Sequence, residues 1–418
     1  MPRLTGLWRH KDFARLWLGQ TISELGSRIT RDGVPLLAVI TLGATPLQMG
    51  ILSALGSVTI FLFGGIAGVW VDRLRRRPIL IAADLGRAIV LATIPAAALL
   101  GVLRIEQLYA VIVLTGLFTV FFDVAYLAYL PALVEREHLV EGNSKLALSD
   151  STAEVVGPGL TGVLIQAITA PMAILFDSLS FLASVVSLAL IRKPEPPPAS
   201  PAARQSLWRE AREGFRFVLR TPILLALAGS EGTLNFFGAF FGVLYSLYAI
   251  RDLGMGAAAL GLTIAMGGVG SFLGALLAGR LVSRLGLGVT LVSSLLLLAL
   301  SAFLIPLARG PLVAAVTLMM AAQLFGDCFR AIYFIHEVSL RQAVTPDAFL
   351  GRAHATLKLL VAGVSPLGAL VGGALGQAIG VRAALMVAAG GTLLATLWLF
   401  FSPVYKLQKQ PPFAREVI

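Results

Sequence analysis

Near the start of the chain, Glu24, Arg28, Arg31 and Asp32 stand in an otherwise apolar stretch at helical spacings. On a helix they fall along one stripe, so Glu24–Arg28 and Arg28–Asp32 are i,i+4 neighbours able to pair. A carboxylate held by a guanidinium can exchange that partner for a proton or a charged ligand, which is the chemistry of coupled translocation. Two arrangements satisfy the stripe. The four groups neutralise one another as a structural cluster, or they line a polar cavity that a solute can enter. Further acids interrupt apolar runs at Asp123, Glu154, Asp177, Glu231 and Asp327, and all are expected to be buried. Asn235 follows Glu231 by four residues and Arg330 follows Asp327 by three, again within helical reach. Ionisable groups in hydrocarbon cost several kcal/mol, so each is a functional candidate. His336-Glu337 could also titrate, but its place near the end of a run predicts a surface role.

The elements that must position these groups are long apolar helices. Hydrophobic residues make up 57% of 418 and charged residues 13%, with a mean hydropathy of +0.87. Soluble domains carry about 25% charged residues, so roughly half the usual charge is missing. Stretches long enough to span a bilayer recur along nearly the whole chain, which predicts an all-α membrane protein with twelve transmembrane helices. The expected spans are 13–41, 48–71, 79–101, 107–132, 146–169, 171–191, 222–250, 257–281, 288–308, 312–340, 354–379 and 381–404. The shortest break is Thr169-Ala170-Pro171. The domains expected are a six-helix bundle over 1–192, a cytoplasmic linker over 193–221 and a second six-helix bundle over 222–418.

The net charge of +11 follows topology and does not mark a nucleic-acid footprint. Arg104, Arg251, Arg309 and Arg382 are scattered over the odd connections, whereas the even ones gather Arg73, Arg75, Arg76, Arg77, Arg136, Lys145, Arg280, Arg284, Arg341 and Arg352. Positive residues mark the inner side, so both termini and the linker are expected in the cytoplasm. No small-residue cleavage site follows the basic N-terminal segment, and no cleaved signal peptide is expected. The lone cysteine, Cys328, reads as a small buried residue. Within the linker, Leu207, Ala211, Phe215 and Val218 share one helical face, while Arg204, Arg209, Arg212, Arg216 and Arg220 crowd the others. That pattern suits a helix lying on an anionic leaflet, with membrane lipids as its partner.

The two halves repeat. Gly68-Val-Trp-Val-Asp72-Arg73-Leu74 matches Gly279-Arg-Leu-Val-Ser283-Arg284-Leu285 at an offset of 211. Leu164-Ile-Gln166-Ala-Ile168 matches Leu375-Gly-Gln377-Ala-Ile379 at the same offset, as Gly157 and Gly162 match Gly368 and Gly373. Concordant matches at one offset indicate duplication and two six-helix halves of like orientation.

Gly64-Gly65-Ile-Ala-Gly68-Val-Trp-Val-Asp72-Arg73-Leu-Arg75-Arg76-Arg77 resembles the signature of the major facilitator superfamily between its second and third helices. Val156-Gly157-Pro158-Gly159-Leu-Thr-Gly162 is similar to the glycine–proline motif of its antiporters. Phe121-Phe122-Asp123, Phe176-Asp177-Ser-Leu-Ser-Phe181 and Val344-Thr-Pro346-Asp347-Ala-Phe-Leu-Gly351-Arg352 resemble the branch of macrolide and enterobactin exporters. The resemblance implies two pseudo-symmetric bundles, a cavity lined by helices 1, 4, 7 and 10, and export of an amphipathic small molecule by proton antiport. It favours Glu24, Arg28, Arg31, Asp32, Asp123, Glu231, Asn235, Asp327 and Arg330 for substrate and proton coupling. For gating it favours Gly68, Asp72, Arg73, Arg76, Arg77, Gly157 and Pro158, with Asp72 meeting the positive end of helix 11 near residue 354. The chain departs from the pattern at Arg75, where the signature has glycine, and at Ser283, where the second copy lacks the acid. The fourth helix also lacks the arginine motif of other drug:proton antiporters, with Gly116 and Asp123 in that region.

A facilitator that imports a solute or moves a lipid fits the same pattern. A membrane-embedded enzyme or a channel fits it poorly. Phosphate-binding glycine loops, zinc-ligand spacing and nucleophile elbows do not occur in the sequence. An inner-membrane monomer without cofactors, acting on a small-molecule substrate and protons, is therefore expected.

Overall fold

Apolar residues without backbone breakers propagate helix, and in lipid the helix is the form that satisfies its own backbone. The computed structural model of the chain describes residues 7, 10–71, 73–195 and 207–411, and among these every regular element is helical. The order is α1 (Lys11–Ile40), α2 (Pro46–Val71), α3 (Arg76–Leu99), α4 (Ile105–Leu133), α5 (Leu139–Ile168) and α6 (Ala170–Ala189). It continues with α7 (Leu207–Arg220), α8 (Pro222–Leu247), α9 (Ala257–Leu285), α10 (Leu287–Ala302), a single turn α11 (Leu304–Leu307), α12 (Leu312–Ala343), α13 (Asp347–Ile379) and α14 (Val381–Phe400).

Among the described residues ten helices are long and apolar enough to cross a membrane. The 30-residue helices α1 and α5 are as long but more charged, α1 carrying Glu24, Arg28, Arg31 and Asp32 and α5 carrying Lys145 and Glu154. Large apolar side chains remain on the surface, including Ile89 at 60%, Phe272 at 65% and Val313 at 79% exposure. Scattered single residues of this kind are ordinary, but so many on helices of spanning length describe a lipid-facing, multi-pass membrane protein.

The chain divides into two compact units. The first comprises 1–44, 55–202 and 256–262, and the second 45–54, 203–255 and 263–418. Within the first, α1 packs on α5 and α6, and α3 packs on α4 and α6. Within the second, α8 packs on α13 and α14, and α10 packs on α12 and α14. Shifting the first set of pairings by 211 residues gives the second, so the sequence repeat is also a packing repeat. The cores correspond too. Phe13, Leu16, Leu80, Tyr129, Leu133 and Leu188 fill the first, and Leu227, Leu291, Leu295, Tyr333, Leu340 and Leu399 the second.

Small residues let backbones meet, as lipid-embedded interfaces require. Gly19, Gly26 and Gly33 give α1 one bare stripe, occupied by Ser184 and Ser187, by Asp177 and Ser180, and by Ile174 of α6 respectively. In the second unit a Cβ on Gly50 would lie 2.7 Å from the Ala369 carbonyl oxygen and 3.1 Å from the Cα of Gly373. In the first, a Cβ on Gly261 would lie 3.1 Å from the Cα of Gly162. These two glycine crossings, Gly50 with Gly373 and Gly261 with Gly162, are also related by the 211-residue shift.

Two expectations need correction. α13 begins at Asp347, about two turns before residue 354, because Pro346 can cap a helix start and no proline lies between it and residue 354. The N-terminal end proposed to meet Asp72 therefore lies at 347, and Asp72 itself is outside the described residues. The linker helix does not present Phe215 and Val218 to one surface. Val218 is buried against Ala353 and Leu357 of α13, while Phe215 is exposed.

The turn from α5 to α6 is a single residue, Thr169, at φ 95° and ψ 154°. Its counterpart between α13 and α14 is Gly380, at φ 89° and ψ 149°. This region of backbone space is nearly exclusive to glycine and costs other residues about 1–3 kcal/mol. Thr169→Gly should therefore raise the thermal midpoint in detergent by roughly 2–4 °C, and Gly380→Thr should lower it. Equal midpoints for wild type and Thr169→Gly would show that the turn carries no such strain.

Candidate functional site

The α1 stripe converges on one guanidinium. Arg28, with a side chain 11% exposed, lies 3.4 Å from Glu24, 3.0 Å from Asp150 and 3.8 Å from Glu154. Glu24 is thus joined as its spacing predicts. Among the described residues no ion pair joins Arg28 to Asp32, and the arginine turns across to α5 because two carboxylates wait there. The turn is possible because residue 157 is glycine. A Cβ there would sit 2.6 Å from the Arg28 Cβ, so Gly157 seats the arginine stem against α5. Asp32 is half-buried and Arg31 exposed on the same helix.

Beside this cluster the first unit opens a recess of about 470 Å³. Glu24, Asp150, Gln20, Tyr126, Asn143 and Ser149 supply its polar lining, and Leu127, Leu130 and Leu146 its apolar one. Carboxylates outnumber the cation, with three facing one. Glu154 was expected to be buried, yet its side chain is 66% exposed, and Asp123 is also exposed. Asp150 went unnoticed in the sequence, although its i,i+4 spacing to Glu154 could have marked it.

Deeper in the same unit lies a second charged group that the sequence reading missed. Asp84 (0% exposed) pairs with Arg87 (5%) one turn along α3, and their side chains hydrogen-bond. The Arg87 guanidinium is sandwiched between Phe122 and Phe181, 4.3 Å and 4.2 Å from the ring centroids. Asp177 is buried nearby and accepts from the Ser180 hydroxyl at 3.1 Å. The acid–arginine spacing in Asp84-Leu-Gly-Arg87 is the same signal that singled out Asp327 and Arg330.

The second unit has its own polar layer. Glu231 on α8 is half-buried, and Asn235 donates to its backbone carbonyl at 2.9 Å and its carboxylate at 3.4 Å. Ser230 and Tyr333 share a hydroxyl hydrogen bond of 2.7 Å. His336 and Glu337 are buried, at 9% and 2% exposure, and do not take the surface role expected of them. His336 Nε2 lies 3.1 Å from the Ala278 carbonyl and Glu337 lies 3.2 Å from Arg341, so α9 and the last turns of α12 enclose the pair. Asp327 occupies the space that a side chain at Gly267 would need, and Arg330 is exposed.

Of the gating residues, Arg73 is exposed, and Arg76 and Arg77 are hydrogen-bonded within the first unit. Glu195 caps α3 by accepting from the Arg76 and Arg77 backbone N–H groups at 2.6 Å and 3.1 Å. Arg77 donates to the Leu188 and Ala189 carbonyls at the end of α6, at 2.9 Å and 2.6 Å. Pro158 lies inside α5, its carbonyl directed at Gly261. Gly68 lies in α2.

Spanning helices paired alike in two units, with a charged recess in the first, fit a major facilitator transporter, and the family comparison shows that class. The family described as transmembrane secretion effectors matches residues 5–415, and the chain belongs to it. An uncharacterised transporter of the same superfamily from Bacillus subtilis, YfiS, is 28% identical over 399 residues, covering 93% of this chain and 92% of its own. The enterobactin exporter EntS of Citrobacter koseri is 27% identical over 411 residues, covering 98% and 96%. Among solved structures, a bacterial homologue of the iron transporter ferroportin has a TM-score of 0.78 at 19% identity, covering 95% of this chain and 99% of its own. A nucleoside transporter, NupG, has a TM-score of 0.73 at 14% identity, covering 93% and 98%. These relatives and this fold are those of transporters and not of enzymes.

The Asp84–Arg87 pair yields a test of its own. Removing one member of a buried ion pair leaves the other uncompensated and costs about 3–5 kcal/mol, whereas removing both can cost much less. Arg87→Leu and Asp84→Leu should each sharply lower yield and thermal midpoint, and the double variant should recover part of the loss. Additive losses in that cycle would mean the two residues do not act as a pair.

Proposed function

We propose that the chain is a secondary active transporter that exports an amphipathic small molecule, drug-like or siderophore-like, by proton antiport with alternating access. The observation that carries this reading is Arg28 shared by Glu24, Asp150 and Glu154 beside a recess of mixed polar and apolar lining. Three carboxylates and one guanidinium cannot all be neutralised by one another. Glu24 and Asp150 line the recess, so a proton or a ligand can take the part of the missing cation. A step that moves Arg28 from one carboxylate to another changes which acid must take up a proton. Coupling then follows from charge balance in a medium where a bare carboxylate costs several kcal/mol.

In this reading α1 and α5 are spans as well, giving twelve in two bundles over 1–192 and 222–418 joined by the linker 193–221. Their charges are tolerated because they face the recess and each other. Glu231, Asn235, Asp327 and Arg330 form the corresponding polar set of the second bundle. Asp123, Arg31 and Asp32 extend the first. The segment from Gly68 through Asp72 and Arg73 to Arg77, with Gly157 and Pro158, serves gating. Relatives that share nearly the whole length include an enterobactin exporter, which supports export. The positive-inside pattern supports both termini in the cytoplasm of a bacterial cell, with the protein in its inner membrane as a monomer.

Proteoliposomes with an imposed pH gradient, assayed over a panel of amphipathic compounds, test the reading. Glu24→Gln and Asp150→Asn should keep the thermal midpoint and substrate binding while making transport insensitive to the gradient. Stable variants that still respond to the gradient as wild type would remove this cluster from coupling and pass the role to Glu231 or Asp327.

Gly157→Ala tests the seat of Arg28. The added methyl should displace the arginine stem and reduce gradient-driven transport by on the order of tenfold, about 1.4 kcal/mol of misplacement. Wild-type transport in that variant would mean the stem has room to move aside.

A further inference from the structure

Helix α7 has two faces of different chemistry, and one of them is occupied. Val218 is fully buried with Leu224, Ala353 and Leu357. Phe217 stacks on Phe349 with ring centroids 4.9 Å apart. A Cβ on Gly214 would lie 2.8 Å from the Arg352 carbonyl oxygen, so the helix rests directly on the α13 backbone. Glu213 completes the seam with a 3.0 Å ion pair to Arg352.

The opposite face is open. Arg212, Arg216 and Arg220 recur every fourth residue and all are exposed. Between them on the same face lie Phe215 and Leu219, 44% and 46% exposed. From 212 to 220 the one acid is Glu213, and Arg352 already engages it. The face thus offers cations and apolar side chains together, with no anion of its own.

Its height in the fold is also fixed. α7 runs through Thr221 directly into Pro222, the first residue of a spanning helix. It packs along Phe349 to Leu357, in the opening turns of another. A helix at the level where two apolar helices begin lies where headgroups meet hydrocarbon. There arginines find phosphates, and Phe215 and Leu219 find acyl chains.

We propose that the Arg212, Phe215, Arg216, Leu219 and Arg220 face of α7 docks on anionic phospholipid headgroups, while Glu213, Phe217 and Val218 hold the same helix to α13. Bound in this way, α7 ties the start of α13 to the charge of the leaflet. The ligand class is a lipid bearing a net negative headgroup. The site is separate from the charged recess of the first unit and does not depend on which solute is carried.

An environment-sensitive fluorophore placed at Phe215→Cys in a Cys328→Ala background tests this on the full-length reconstituted protein. In vesicles with about 30% phosphatidylglycerol the label should shift to the blue and be shielded from an aqueous quencher. In pure phosphatidylcholine it should be accessible. Each arginine near an anionic surface is worth about fivefold in partitioning, so replacing Arg212, Arg216 and Arg220 by Gln should weaken docking on the order of a hundredfold and expose the label. The triple Lys variant, which keeps the charge, should restore shielding. Equal accessibility in both lipid compositions would overturn the proposal, as would shielding that survives the triple Gln substitution. The measurement needs no substrate, so the failure of a transport assay would leave its result unchanged.

Discussion

A guanidinium taken out of water has to be paired, and in the first unit this constraint falls on Arg28. Its guanidinium reaches carboxylates on its own helix and on α5, so it joins two helices. Its stem needs the bare surface of Gly157 to get there. The recess beside it is lined by Glu24 of α1 and Asp150 of α5, so the groups that Arg28 joins also face an opening. Charge balance, helix pairing and the shape of the opening are thus one problem with one solution.

The second constraint is the lack of a hydrophobic force between helices once both are in lipid. Close contact has to come from small side chains and hydrogen bonds. The bare stripe of Gly19, Gly26 and Gly33 on α1, facing Ser180, Ser184 and Ser187, answers that need in the first unit. The buried Asp84–Arg87 pair, closed between two phenylalanine rings, shows the alternative. There the two charges are paired with each other and enclosed, with Asp84 Oδ2 and Arg87 Nε buried and without a hydrogen bond. The recess cluster and this pair use the same residue types for opposite ends, and exposure to an opening is what separates them.

Much of this was legible in the sequence. Hydropathy marked the helices, the 211-residue offset marked the repeat, and the i,i+4 rule marked Glu24 with Arg28. What the sequence withheld is which way a side chain turns when several partners are within reach. Arg28 had Asp32 one turn away, yet Asp150 and Glu154 lie on a helix more than a hundred residues distant. His336 and Glu337 read as a surface pair because both are polar and near a helix end. The enclosure by α9 that buries them is a tertiary fact. α7 read as a helix with one apolar face, and in the fold that face is divided between α13 and the exterior. Asp84 and Arg87 carried a readable signal and show that the spacing rule has to be applied to every apolar helix.

The repeat is conservative in its mechanics and not in its charges. The positions of Glu24, Arg28, Asp150 and Glu154, carried 211 residues onward, hold Asn235, Ala239, Val361 and Ser365. Turns, helix pairings and glycine crossings survive in both copies, while this ionic constellation survives in one. A change at a turn or a crossing can therefore be compared with its counterpart in the other copy, whereas a change in the cluster has no counterpart to set beside it.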